Sequence, residues 1–232
     1  TKKISGQGDE TLGEIAAKDL RKAEVFKKYG LDFCCGGKKT VKEACAEKGL
    51  DVTKVEQELQ KADKDITQSR PLPYNEWGLD FLTDYILNTH HSYVRKTITD
   101  LKTYGAKVAS VHGHMHPELH KMNRLTDEVC DELASHMVKE ETVLFPYIKS
   151  LVAAKKDGTP LQNANFKSIQ SPIDMMEHEH ESVGNKMDEI RKLSHNYSLP
   201  EDACASYAFW FRQLDEFEND FPLHVTLENN IL

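Results

Sequence analysis

The sequence predicts an all-α protein in which a small helical unit precedes a four-helix bundle. Three observations lead there. Threonine capping boxes recur early in the chain, apolar residues step by three and four over long later stretches, and a His-x-x-x-Glu pattern occurs twice inside those stretches.

The capping boxes are Thr11-x-x-Glu14, Thr40-x-x-Glu43 and Thr53-x-x-Glu56, each opening a short helix, with Gly30 and Gly49 where helix C-caps are expected. Residues 1–65 are therefore assigned to a small helical domain. Cys34-Cys35-Gly36-Gly37 falls in a connection between two of its helices. Two prolines within Ser69–Asn75 break any helix, so 66–76 is read as a linker and 77–232 as the bundle.

Four apolar stripes make up the bundle. Leu87, Val94, Ile98 and Leu101 leave one vacant slot, which His91 fills, while His90 lies off the stripe. Leu119, Met122, Thr126, Val129 and Leu133 continue into His136, Glu140, Val143 and Tyr147. Ser171 and Pro172 are expected to open the third helix as N-cap and first helical residue, and Ile173, Met176, His180, Val183, Met187 and Ile190 follow, with His178 off the stripe. The last runs Tyr207, Phe211, Leu214, Phe217, Phe221, His224, Glu228, Ile231, and Pro222 within it predicts a kink or a break.

Polar residues thus occupy core slots on all four helices. A single buried histidine is commonly a satisfied core residue, and a single His-x-x-x-Glu is commonly a solvated intrahelical pair. Buried carboxylates are another matter, because leaving one uncompensated costs several kcal/mol, and two stripes carry one. HMVKEETVL and HVTLENNIL are versions of one repeat, each with an acid four residues earlier, Glu132 and Asp220. A spacing of four puts both side chains on one helix face. Four imidazoles (His91, His136, His180, His224) and two shareable carboxylates (Glu140, Glu228) suit two metal ions, and N,O ligation without thiolate favours iron or manganese over structural zinc. Iron is the expectation. Glu132, Glu179 and Asp220 are candidates for supporting the ligands or relaying protons. Set aside as a solvated turn is the run His112-Gly113-His114-Met115-His116 with His120.

Composition excludes other classes. A formal charge of -8 gives no footprint for nucleic acid, no apolar run reaches the length of a membrane span, and TKKISGQGDE lacks a signal-peptide core, so a cytoplasmic location is expected. Five cysteines are too few and too odd for a disulfide framework; Cys45, Cys130 and Cys204 are expected in the core, and Cys34 and Cys35 as a redox or iron-transfer pair.

Cys34-Cys35-Gly36-Gly37 after Tyr29-Gly30-Leu31-Asp32-Phe33 resembles the N-terminal domain of the iron-sulfur cluster repair di-iron (RIC) proteins. His90-His91-x-Tyr93, His136-Met137-x-Lys139-Glu140-Glu141, Glu177-x-Glu179-His180 and His224-x-x-x-Glu228-Asn229-Asn230 resemble their hemerythrin-like domain. The one departure is at Leu232, where the family usually continues with Phe-Pro. The resemblance implies an oxo-bridged di-iron centre on His91, His136, Glu140, His180, His224 and Glu228 with both glutamates bridging. It also implies restoration of clusters damaged by nitric oxide or peroxide. Expected partners are damaged iron-sulfur proteins or a cluster scaffold, with nitric oxide or dioxygen as small ligands and a homodimer left open. Nitric oxide reduction at the same centre is the alternative. An oxygen-carrying hemerythrin fits less well, because Met176 and Gly184 stand where a further histidine would flank His180.

Overall fold

The computed structural model describes residues 10–19, 21–34, 36–64, 72–159 and 170–232, and every statement below concerns these. Chain contacts divide it into two compact units, Thr1–Trp77 with Pro222–Leu232, and Gly78–Phe221. The architecture is all-α.

In the first unit α1 spans Leu12–Lys18, α2 Arg21–Lys28, α3 Val41–Lys48 and α4 Val52–Lys64. Both of the first two capping boxes form: the Thr11 hydroxyl accepts from the Glu14 amide at 3.2 Å, and the Glu14 carboxylate accepts from the Thr11 amide at 2.9 Å. Thr40 and Glu43 repeat this at the start of α3. The third box does not form. Asp51 takes the cap instead, its carboxylate accepting from the Thr53 amide at 3.0 Å, because Asp51 stands one residue ahead of Val52 and offers a stronger acceptor than a hydroxyl. Gly30 and Gly49 have φ of 63° and 64°, the left-handed conformation that ends a helix with least steric cost. Leu12, Ile15, Phe26, Leu31, Phe33, Val41, Cys45, Val55 and Leu59 form a core of their own.

The segment carrying the two cysteines is held to α1 by backbone. Leu12 donates to the Lys39 carbonyl at 2.8 Å and Gly13 to the Gly37 carbonyl at 2.9 Å. A Cβ on Gly37 would lie 2.5 Å from the Phe33 carbonyl oxygen, so only glycine permits this approach. Cys34 is half-buried, with amide and sulfur 3.1 and 3.2 Å from the Asp32 carboxylate. Cys35 lies outside the described residues, as do 66–71 of the expected linker. The remainder is anchored: Tyr74 is buried in a short 3₁₀ turn, Tyr74–Glu76, and Asn75 donates to the Ala17 carbonyl at 2.7 Å.

Four long helical rods carry the rest. The first consists of α5 (Leu79–Ile86), a π-helical turn (Leu87–His91) and α6 (Ser92–His112); the second of α7 (Glu118–Lys139), another π turn (Glu140–Leu144) and α8 (Phe145–Asp157); α9 is Gln170–Leu193 and α10 Ala205–Asn230. Helix α6 packs on α7, α7 on α9, and α5 on α8. Aromatic pairs tie α10 to α6, Tyr104 to Phe209 at 4.5 Å and Tyr93 to Phe217 at 6.4 Å between ring centres. Helix α9 is already under way at Gln170, so Ser171 is not its cap. Nor does Pro222 break α10, which runs unbroken through it while the Thr226 hydroxyl donates to the Pro222 carbonyl at 2.7 Å. No described helix is long and apolar enough to cross a membrane.

Candidate metal centre

Both π turns lie at polar core residues. A π turn admits one extra residue per turn, which rotates everything beyond it relative to an α-helical count, and such turns concentrate at functional sites. At Leu87–His91 the result is that both His90 and His91 point inward. At Glu140–Leu144 the stripe slips by one: Glu140 is buried, the expected Val143 is 43% exposed, and Leu144, Phe145 and Ile148 take the core positions.

Glu140 stands at the centre of the arrangement. It is 1% exposed, and its Oε2 lies 3.3 Å from His91 Nε2 and 3.3 Å from His136 Nε2. His136 Nε2 in turn lies 2.8 Å from His180 Nε2. On α10, His224 Nε2 lies 2.8 Å from Glu228 Oε1, and both side chains are almost fully buried. Two overlapping groups emerge, His91 with Glu140, His224 and Glu228, and His136 with Glu140, His180 and Glu228; within each group the ligand atoms lie within 4.8 Å of one another. These are His/Glu groups that could hold metal, and the two carboxylates belong to both.

The outer nitrogens of two rings are held by carboxylates. His91 Nδ1 donates to Glu141 at 2.7 Å, with Arg95 on the same carboxylate; His136 Nδ1 donates to Glu179 at 2.8 Å, with Lys139 beyond it. Burial pushes the Glu179 carboxyl up, but hydrogen bonds from Lys139 and His136 outweigh it and hold the group below its ordinary value. An Nδ1–H fixed on a carboxylate leaves the Nε2 lone pair directed inward, the tautomer a metal requires. His136 and His180 bring two ring nitrogens to 2.8 Å of each other beside a buried carboxylate, a donor set that suits a cation.

The supporting acids differ from the sequence expectation in three places. Glu179 meets His136, as a supporting acid would. Glu132 reaches no imidazole; it accepts from Ser182 at 3.2 Å and from Lys186, because it lies one turn before His136 on a half-exposed face. Asp220 pairs with His90 at 3.2 Å, not with a member of the two candidate groups. Glu141, which the stripes did not single out, holds His91; two adjacent acids straight after the His-x-x-x spacing were its only sequence signal. His90, expected off the stripe, is 2% exposed, whereas His178 is in solvent. Cys130 is buried, its thiol pushed up to about 12 by burial, and Cys45 is buried too, but Cys204 is exposed. It precedes the first turn of α10 and lies outside the apolar stripe that begins at Tyr207.

Comparison with known proteins finds a cation-binding domain over the same helices. Residues 82–232 match the hemerythrin HHE cation-binding domain, and residues 8–63 match a domain of unknown function, DUF542. An iron-sulfur cluster repair protein YtfE of Edwardsiella ictaluri is 35% identical over 224 residues, spanning 97% of this chain and 95% of the relative. Those of Escherichia coli and Escherichia fergusonii are 33% identical over 226 residues, spanning 97% of this chain and 94% of each relative. With the bundle domain matched over more than half the chain and such relatives along nearly all of it, the chain belongs to the hemerythrin HHE family, among the two-domain proteins named for iron-sulfur cluster repair.

Proposed function

We propose that this chain binds two iron ions as an oxo-bridged pair and repairs iron-sulfur clusters damaged by nitrosative or oxidative stress by supplying iron. His91 and His224 would serve one ion and His136 and His180 the other, with Glu140 and Glu228 shared. The observation that carries the reading is Glu140 Oε2 at 3.3 Å from imidazoles of two different helical rods. The relatives' name, iron-sulfur cluster repair protein, supports the cluster-repair part of it.

Bound iron would supply redox chemistry and an exchangeable metal; the side chains do the positioning. Glu141 and Glu179 fix two imidazoles, Arg95 and Lys139 pair with those carboxylates, and Phe145 stacks on His91 at 5.5 Å, shielding one side of it from water. We divide the chain at a linker over 66–76, with Cys34 and Cys35 of the small domain as the soft ligands that pass iron to a damaged iron-sulfur protein or a cluster scaffold. Nitric oxide and dioxygen are the small ligands this reading admits, and a homodimer is compatible with it. The odd, sparse cysteines suit a reducing cytoplasm.

The test is an iron-sulfur enzyme inactivated by nitric oxide and incubated with parent protein or with the Cys34→Ser/Cys35→Ser double variant, while iron content and nitric oxide consumption are followed. The parent is expected to restore activity, and the variant to keep its iron but lose most of the repair. Rapid catalytic consumption of nitric oxide without repair would replace this reading by the reductase one. Full repair by the double variant would make the two thiols structural.

A further inference from the structure

At the end of the bundle where α6 turns into α7, three side chains with no part in the metal centre meet. Cys204, at the N-terminus of α10, is exposed, and its carbonyl accepts the first bond of that helix, from Ala208 at 3.0 Å. Its sulfur lies 3.3 Å from His112 Nε2 at the end of α6. The other ring nitrogen of His112 is 3.9 Å from the Asp202 carboxylate, which His116 Nε2 holds at 2.9 Å. The Tyr207 ring packs on His112 at 5.2 Å between centres and limits its swing. A sulfur nucleophile, an imidazole within proton-transfer reach and a carboxylate beyond the imidazole are thereby brought together from α6 and from the loop before α10.

We propose that Cys204 is a nucleophilic thiol, with His112 as its proton acceptor and Tyr207 as the ring that positions His112, and that it captures low-molecular-weight disulfides as a mixed disulfide. The Cys204 proton passes to His112 Nε2. The sulfur then attacks one sulfur of the disulfide, a bond forms between Cys204 and that half, and the disulfide bond breaks. The departing thiolate takes the proton back from His112, so one Cys204 thiol is oxidised as one half of the small disulfide leaves reduced. The Tyr207 amide and then the His112 ring hold the Cys204 thiol below its ordinary value. Burial acts in the opposite sense on Cys45 and on Cys130, so those two are poor competitors.

Full-length, iron-loaded protein is incubated with oxidised glutathione, and the modified residue is located by mass spectrometry. The mixed disulfide is expected on Cys204, absent in Cys204→Ser, and formed about tenfold or more slowly in His112→Gln. Label on Cys34 or Cys35 with Cys204 untouched would overturn the proposal, as would a His112→Gln rate equal to the parent's. If His112→Gln does not fold, as judged by circular dichroism and iron content, alkylation of parent Cys204 against pH gives the same decision. The titratable groups facing the site are His112 from α6, His116 from the turn, Glu118 from α7, Asp202 from the loop and Tyr207 from α10. A rate midpoint below the ordinary thiol value supports the proposal, and one at or above it overturns it.

Discussion

Replacing Glu140 by alanine is expected to remove iron from both positions and to lower the thermal midpoint of the protein to below that of chelator-treated parent, since the loss of metal is joined by the loss of a buried side chain. The carboxylate is buried, lies 3.3 Å from two imidazoles, and belongs to both candidate metal groups, so in the proposed centre neither half is independent of it. Metal that binds only the folded state stabilises it by about 4 kcal/mol when free metal is about a thousand times the dissociation constant. For a chain of this size the loss corresponds to a fall of about 8 to 16 °C. Glu140→Gln separates charge from packing, since it keeps the volume but loses the anionic oxygen that two cations would share. It is expected to lose the iron as well, with a smaller loss of apoprotein stability than Glu140→Ala. Iron retention by either variant, measured by elemental analysis, would show that Glu140 is a structural acid.

The neighbouring histidines should respond differently although both are buried. His91→Ala is expected to lose iron, because its Nε2 faces Glu140 and its Nδ1 is fixed by Glu141. His90→Ala is expected to keep both irons and to lose about 1–3 kcal/mol of stability, the scale of a broken buried hydrogen bond. Its ring instead meets Asp220 at 3.2 Å and the Tyr85 ring at 5.9 Å. Elemental analysis and denaturant melts of the two variants side by side decide this; equal iron loss would mean that the π turn directs His90 into the centre.

The π turns also explain where the sequence was legible and where it was not. Counting by threes and fours selected His91, His136, Glu140, His180, His224 and Glu228, and these are the residues the two groups contain. The count holds through α7, α9 and most of α10 because those helices are regular there. It fails immediately after Glu140, where Val143 turns outward, and around His90, where two successive histidines are buried. A single added residue in a turn leaves no compositional trace, so periodicity cannot anticipate it. Supporting acids were harder still, since whether Glu132, Glu141 or Asp220 reaches an imidazole depends on its rotation about the helix and on which cation competes for it. Lys186 takes Glu132, and Arg95 and His91 share Glu141. Cys204 was misplaced for a simpler reason: an isolated cysteine before an aromatic stripe reads as core, and only the fold brings His112 to it.

The central claim is that Glu140 and Glu228 are shared by two iron ions. Elemental analysis of the purified chain together with its absorption and Mössbauer spectra tests it most directly. The account predicts two irons per chain, one for each group, with the charge-transfer bands and antiferromagnetic coupling of an oxo-bridged ferric pair. One metal per chain, two uncoupled irons, or stoichiometric zinc would contradict it.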